Sequence, residues 1–252
     1  MRLFDVMGLV STIALVLPII ILLRFKLAWY KSFPALLAYY VILFSYNLFL
    51  VKYIPVGKDV QRYHGIVNDL LYAPLVLYFL TYFSSNVQAR KRMLILFYAL
   101  IGFEAVILVI FGFTTQASKI ITAPGLLLAL AFSAYFFINR VKITIMHHKG
   151  IGKALIVSSL FFSVVGASYV FGVFYFTNAP SKEDAHVVFF LISVISSVSM
   201  SIGLFFEQGR VKHLEELRTV RNELKALYGE DKQKATTPFG TVALNFDKEQ
   251  WN

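Results

Sequence analysis

The dominant pattern in this chain is a series of long apolar stretches separated by short polar breaks. Seven stretches are long enough for a helix to cross a bilayer, which takes about 20 residues. They lie at about 4–23, 33–53, 66–83, 93–113, 120–138, 154–176 and 187–206. The breaks between them contain Lys, Arg, Asn, Pro or Gly, which are unfavourable in hydrocarbon or favour turns.

The apolar stretches predict helices rather than strands. Strands of a membrane barrel alternate apolar and polar side chains, and these stretches do not alternate. A helix also satisfies its own backbone hydrogen bonds in hydrocarbon. We therefore predict an all-α fold, namely a polytopic membrane protein with a seven-transmembrane-helix bundle over residues 1–206.

The chain changes character after the seventh stretch. Residues 207–230 are rich in charge and favour a helix. The apolar positions of this segment follow 3-4-3 spacing and are Leu217, Val220, Leu224 and Leu227. Such spacing fits an amphipathic helix lying on anionic lipid, or a short coiled coil that binds a protein partner or a second copy. Residues 231–252 are predicted to be a flexible tail.

The composition supports a membrane protein and excludes several enzyme classes. The chain is 58% hydrophobic and 15% charged, whereas a soluble domain is usually about a quarter charged. It has no cysteine, which excludes disulfides, thiol catalysis and cysteine-ligated metal. Its five histidines are scattered over the predicted loops and the tail, and no phosphate-binding loop or hydrolase motif is present. We predict a protein that is not an enzyme and has no cofactor and no metal site.

The basic residues predict the orientation of the bundle. The net charge of +10 is typical of membrane proteins that keep Lys and Arg in cytoplasmic loops, so no direct nucleic-acid partner is predicted. The first, third and fifth breaks together with the C-terminal region carry 18 Lys and Arg, against six on the opposite side. This asymmetry predicts a protein of the plasma (inner) membrane with its N-terminus outside and its C-terminal helix in the cytoplasm.

Polar side chains within the apolar stretches are the strongest candidates for ligand binding, because ionisable groups are unfavourable in hydrocarbon. Glu104 lies near the middle of the fourth stretch, where hydrocarbon favours its neutral, protonated form. Asp69 lies about one turn into the third stretch, and Asn47 lies in the outer third of the second, with Tyr46 and Tyr72 at comparable depths. We predict that these five residues line one small-ligand pocket. The alternatives are a structural Glu104 that hydrogen-bonds between helices and an interfacial Asp69 at a helix start.

Small residues recur at helical spacing in the last two stretches. Ser193, Ser197 and Ser201 are four residues apart in the seventh stretch, and Gly172 lies in the sixth. Small side chains at this spacing let helix backbones approach closely, so these residues are predicted to be helix-packing positions. A hydroxyl-lined path for a ligand or an ion is the alternative.

One segment of the third stretch resembles a known family. The run Asn68-Asp69-Leu70-Leu71-Tyr72-Ala73-Pro74-Leu75-Val76-Leu77-Tyr78-Phe79-Leu80 is similar to the third helix of bacterial seven-transmembrane-helix sensor regions. A small residue, Pro, Leu and a downstream Tyr recur there. The likeness extends to the seven-helix layout, to an aromatic-rich second helix, and to a charged helix after the last span.

The resemblance implies a function in signalling. Such sensor regions often precede a cytoplasmic DNA-binding or histidine-kinase module, and no such module follows here, so the resemblance implies a separate output protein. The first hypothesis is a receptor-like sensor that passes a ligand or membrane cue to a cytoplasmic partner through residues 207–230. The alternatives are a small proton- or cation-coupled transporter or channel, and an accessory subunit that anchors a complex in the membrane.

Overall fold

The computed structural model describes residues 3–84, 86–147, 150–176 and 182–228, and within these ranges the chain is helical and has no strand. The seven α-helices are α1 Leu3–Arg24, α2 Phe33–Leu50, α3 Lys58–Leu80, α4 Val87–Phe111, α5 Thr115–His147, α6 Ile151–Phe176 and α7 Lys182–Tyr228. Single turns of 3-10 helix, Leu27–Trp29 and Thr81–Phe83, follow α1 and α3. The predicted tail, 231–252, lies outside the described ranges.

The prediction of an all-α fold with seven helices of membrane-crossing length is confirmed. In the part of the chain that the structure describes, seven helices are long and apolar enough to cross a membrane. Several are longer than the apolar stretches that predict them. Residues 58–65, predicted as part of a break, form the first two turns of α3, and α5 continues nine residues past 138. Hydropathy marks only the part of a helix that suits hydrocarbon, and a charged end can continue into water.

Six of the helices form a closed ring, and α4 packs outside it. Each ring helix contacts the next in the order α1, α2, α3, α5, α6, α7, and α7 returns to α1. Helix α4 packs against α3 and α5. Its buried side chains are only Met93, Leu100 and Glu104, so most of its surface faces outwards. Glu104 therefore lies on the one face of α4 that packs against α3 and α5.

Aromatic side chains form a compact cluster at the end of the ring where α2 begins and α3 ends. The Phe33 ring centroid lies 5.3 Å from that of Phe79 and 5.0 Å from that of Tyr82, both in edge-to-face geometry. Phe83 packs edge-to-face on Phe79 at 5.7 Å. Edge-to-face pairs contribute about 0.5–1.5 kcal/mol beyond simple burial, so this cluster fixes α2 against α3.

Helices α6 and α7 approach closely at two glycines, Gly152 and Gly203. A Cβ added at Gly203 would lie 2.8 Å from Ile156 Cγ1 and 3.0 Å from the carbonyl oxygen of Gly152. A Cβ added at Gly152 would in turn lie 3.0 Å from that of Phe206 and from the backbone nitrogen of Glu207. Contacts this short leave no room for a methyl group, so only glycine permits this crossing.

The packing residues predicted from spacing have different surroundings. Ser193, Ser197 and Ser201 are buried on α7, and the Ser201 hydroxyl donates to the Ser197 carbonyl oxygen at 2.8 Å. At Gly172, by contrast, an added Cβ would meet nothing within 4 Å. Spacing along a helix predicts which positions share a face, but it does not tell which face meets a neighbour.

Candidate functional site

Glu104 lies on the single buried face of α4. Its side chain is 8% exposed, and its Oε1 atom is buried without a hydrogen-bond partner. One turn before it, Leu100 packs with residues of α3, and one turn after it, Ile107 and Leu108 pack against Ile66, Leu70 and Ile121 of α3 and α5. The Glu104 carboxyl group therefore occupies the junction of α3, α4 and α5.

Asp69 belongs to the same three-helix junction. Its Oδ2 atom accepts a hydrogen bond from the Ser118 hydroxyl at 2.6 Å, which joins α3 to α5. Its neighbour Leu70 belongs to the apolar group that packs against Ile107, one turn from Glu104. On α5, the hydroxyl of Thr122 is buried without a partner one turn after Ser118.

These polar residues make the junction a candidate ligand site, which we call the junction site: Asp69, Glu104, Ser118 and Thr122. Buried polar atoms are nearly always hydrogen-bonded, and two side chains here have an atom that is not. An orphaned carboxyl oxygen and an orphaned hydroxyl within one three-helix contact provide an acceptor and a donor for a small polar ligand or a proton.

Asn47 does not belong to the junction site. Its Nδ2 atom donates to the Thr12 hydroxyl oxygen at 2.8 Å, and that hydroxyl donates to the carbonyl oxygen of Gly8 at 2.7 Å. The chain of hydrogen bonds joins α2 to α1, on the opposite side of α2 from the α3–α4–α5 contact. The sequence predicts how far along α2 Asn47 lies. Which neighbouring helix its side chain faces depends on how the helices pack.

The two tyrosines predicted for the pocket lie on other helix contacts. The Tyr46 ring stacks on His64, with centroids 6.2 Å apart and 10° between the planes, where α2 meets α3. Tyr72 is buried inside the ring of helices, and the centroid of its aromatic ring lies 5.5 Å from that of Tyr39. The Tyr39 hydroxyl is bonded to that of Ser163 at 2.7 Å, which connects α2 to α6. Of the five predicted ligand residues, the structure brings Asp69 and Glu104 to one junction.

A second group of buried polar residues lies where α3 ends and α7 leaves the bundle. Glu207 is 2% exposed. Its carboxylate accepts a hydrogen bond from the Tyr82 hydroxyl and two from the Arg210 guanidinium, at 2.8 Å from Nε and 2.5 Å from Nη2. The same Nη2 atom donates to the Tyr82 oxygen at 2.5 Å. Together with Lys153, whose Nζ lies 5.7 Å from the Tyr82 ring centroid, these residues form what we call the charge cluster.

Lys153 of the charge cluster is buried, and two further cations lie beside the cluster. Lys153 is 4% exposed although it lies in a predicted break. Lys31 Nζ lies 5.9 Å from the Tyr82 ring centroid, from the connection between α1 and α2. The Arg140 guanidinium donates to the Phe83 carbonyl oxygen at 2.5 Å. Side chains from the α1–α2 connection, α6 and α7 therefore meet around Tyr82, and Arg140 of α5 binds the next residue along the chain.

Hydropathy did not predict the charge cluster. It places Lys153 and Arg140 in a loop, and Glu207 and Arg210 in a helix beyond the bundle, where charges are usually solvated. A usable signal is present in the sequence, because Glu207 is an acid directly after the last apolar run and is followed at i+3 by Arg210. The partners Tyr82 and Lys153 are more than 50 residues away and emerge only from the fold.

Among the described residues, no group of three or more His, Cys, Asp or Glu side chains is placed to hold a metal ion. No protein-family model, curated protein or solved structure matches this chain.

Proposed function

We propose that this chain is an integral membrane protein of the plasma (inner) membrane that works as a receptor-like sensor. In this proposal a ligand or membrane cue acts at the junction site, and the end of α7 passes the change to a cytoplasmic protein partner or to a second copy. The observation that carries the proposal is that α7 is one unbroken helix, Lys182–Tyr228, which packs in the bundle between Ala185 and Val211 and is exposed over residues 215–224.

The length of α7 supports an output outside the bilayer. Its 47 residues extend over about 70 Å, which is more than twice the roughly 30 Å of a hydrocarbon core. Phe190, Met200 and Leu204 are fully buried in the bundle. Over residues 215–224 the apolar side chains are exposed, namely Leu217 at 53%, Val220 at 51% and Leu224 at 48%. An exposed apolar stripe on a helix that leaves the bundle is typical of a surface that binds another helix.

The charge distribution supports an orientation in which α7 ends in the cytoplasm. The breaks with most Lys and Arg lie on the same side as the start of α4, the end of α5 and the start of α6. The charge cluster is on this side, whereas Ser118, which donates to Asp69, lies in the first turn of α5 at the opposite side. The proposed input is thus in the outer half of the bundle and the proposed output is in the cytoplasm.

Helix α3 connects the proposed input to the proposed output. Asp69 and Tyr82 lie 13 residues apart in α3 and the 3-10 turn that follows it, a separation of about 20 Å. A displacement of α3 against α5 at Asp69 would change the position of Tyr82, which binds Glu207 of α7. Coupling of this kind needs two packing arrangements that the cue stabilises to different degrees.

Site-specific photo-crosslinking in membranes tests the output. A crosslinker at Leu217 or Leu224 is expected to capture a cytoplasmic partner or a second copy, because both side chains lie on the exposed stripe. Asn222 is the matched control, because it lies on the opposite face of the same helix from Leu217 and Leu224. It is expected to give no product. Equal products at the three positions would contradict a specific surface. Deletion of the segment after residue 213 without loss of a partner or of any cellular phenotype would remove the sensor proposal.

The orphaned Glu104 carboxyl favours one second candidate, a proton- or cation-coupled transporter or channel. A carboxyl group in an apolar junction is a suitable carrier of a proton. The sensor proposal predicts no flux through the purified chain in liposomes. Flux that is abolished by Glu104→Gln would favour the transporter, whereas constitutive co-purification with a stoichiometric partner would favour an accessory subunit that anchors a complex.

A further inference from the structure

A groove of about 770 Å³ opens between α4, α5 and the turn that follows α3. Three cations line it, Arg92 from α4 and Arg140 and Lys142 from α5. No Asp or Glu is among the described residues that line it. The described lining of the groove therefore carries a net positive charge.

The rest of the groove is mainly apolar, and its polarity changes along its length. On α4, Arg92 precedes Leu96 by one turn, and on α5, Arg140 follows Phe136 by one turn and Phe132 by two. Helices α4 and α5 are joined by a short turn and run in opposite directions, so the cations collect at one end and the apolar side chains line the other. A ligand that fits this arrangement has an anionic head and a hydrocarbon chain.

One cation at the charged end of the groove is held in position by the protein itself. Arg140 is 8% exposed, and its Nη2 atom donates to the Phe83 carbonyl oxygen at 2.5 Å, which holds the guanidinium against the wall. Arg92 and Lys142 are exposed. A fixed guanidinium can donate to two oxygens of a phosphate, and mobile cations beside it can adjust to the remaining charge.

We propose that this groove binds an anionic phospholipid from the cytoplasmic leaflet. The lipid phosphate lies between Arg92, Arg140 and Lys142, and one acyl chain lies along Leu96 and Phe132. The proposal rests on the membrane insertion and orientation proposed above, which place the start of α4 and the end of α5 at the cytoplasmic surface. Basic pockets between transmembrane helices on that side are suited to anionic lipid headgroups. A water-soluble anion would leave the apolar half of the groove uncovered.

Lipid binding to the purified full chain tests the proposal. The chain in neutral detergent is titrated with phosphatidylglycerol or with phosphatidylcholine of identical acyl chains, and bound lipid is counted by native mass spectrometry. We expect phosphatidylglycerol to bind at least tenfold more tightly. The double substitution Arg92→Gln and Lys142→Gln is expected to weaken phosphatidylglycerol binding by about 25-fold, since each cation contributes about fivefold near a membrane surface. Binding of phosphatidylcholine should not change.

Arg90→Gln with Lys91→Gln is the matched control, because both residues are exposed on α4, do not line the groove, and remove the same net charge. The control is expected to bind phosphatidylglycerol within about twofold of the unmodified chain. Equal binding of the two lipids by the unmodified chain, or an equal loss in both double variants, would overturn the proposal. Displacement of phosphatidylglycerol by millimolar inorganic phosphate would assign the groove to a soluble anion and overturn it as well. If lipid selectivity is absent while the α7 crosslinks persist, the lipid site alone is wrong, and the sensor proposal stands.

Discussion

Glu207 is the acidic member of the charge cluster, and its buried carboxylate is the ion-pair partner of the half-buried Arg210. Its carboxylate accepts hydrogen bonds from Tyr82 and Arg210, and Lys153 lies against the Tyr82 ring. We expect Glu207→Gln to lower the free energy of unfolding by about 2 kcal/mol. The amide retains the shape of the carboxylate but cannot neutralise the Arg210 guanidinium that the fold holds against it.

A reversible unfolding titration in mixed micelles measures this change, and Glu216→Gln is its control. Glu216 lies on the same helix, its side chain is 62% exposed, and its carboxylate is 4.0 Å from His213 Nδ1. A solvated pair of this kind contributes little, so the control should change stability by less than about 0.5 kcal/mol. Equal losses in the two variants would show that Glu207 acts as an ordinary surface residue.

Substitutions at Glu104 and Ser118 should change the free energy of unfolding in opposite directions. Glu104→Leu is expected to raise the free energy of unfolding by about 1 kcal/mol, because Oε1 has no hydrogen bond to lose and a buried polar group is removed. Ser118→Ala is expected to lower it by about 1 kcal/mol, because it leaves Asp69 Oδ2 without its donor. The same unfolding titration measures both variants.

The sign at Glu104 separates a functional carboxyl from a structural one. A side chain whose removal stabilises the fold is typical of a binding or relay site, because it contributes nothing to the stability of the protein. If Glu104→Leu destabilises the chain as much as Ser118→Ala does, Glu104 forms a structural hydrogen bond between helices. The junction site would then lose its main support.

At the scale of the helices, the contact of α6 with α7 depends on the absence of side chains at two positions. We expect Gly203→Ala to lower the free energy of unfolding by about 1–3 kcal/mol, because the added methyl would lie 2.8 Å from Ile156 and 3.0 Å from the Gly152 carbonyl oxygen. Gly102→Ala on α4 is the control, since nothing lies within 4 Å of an added Cβ there. The control should be neutral or stabilising, because alanine favours a helix over glycine. Equal effects on stability would contradict the close crossing.

The sequence predicts the helices better than it predicts their contacts, and the reason is physical. A run such as Phe4–Leu23 is apolar on every side, so hydropathy detects it whatever its neighbours are. The start of α3 is missed because Lys58 and Arg62 are polar, although helical hydrogen bonding does not require apolar side chains. Asn47 is predicted to line the ligand pocket, whereas its side chain hydrogen-bonds to α1. Packing between helices decides which neighbour a side chain faces, and no single-helix pattern contains that information.

At the scale of the whole molecule, the ring and its outlying helix divide the chain into a rigid part and a peripheral part. Helices α1, α6 and α7 pack through buried small residues, whereas α4 contacts the ring along one face only. Both proposed ligand sites, the junction site and the lipid groove, include α4. A helix with few buried contacts shifts at lower cost than a ring helix, so a cue that acts at either site has an element it can displace.

The absence of cysteine from the sequence makes the orientation of the whole bundle directly testable. Single cysteines at Asp59, at the start of α3, and at Glu216, on the exposed part of α7, can be labelled in intact cells with a membrane-impermeant maleimide. We expect Asp59→Cys to be labelled from outside, and Glu216→Cys to be labelled only after the membrane is permeabilised, because the side richer in Lys and Arg stays in the cytoplasm. Both positions are helical and solvent-exposed, so they differ in the face of the membrane they report rather than in their reactivity. Labelling of both from the same face in intact cells would mean an even number of crossings between them, and the junction site could then not be an outer site read by a cytoplasmic α7.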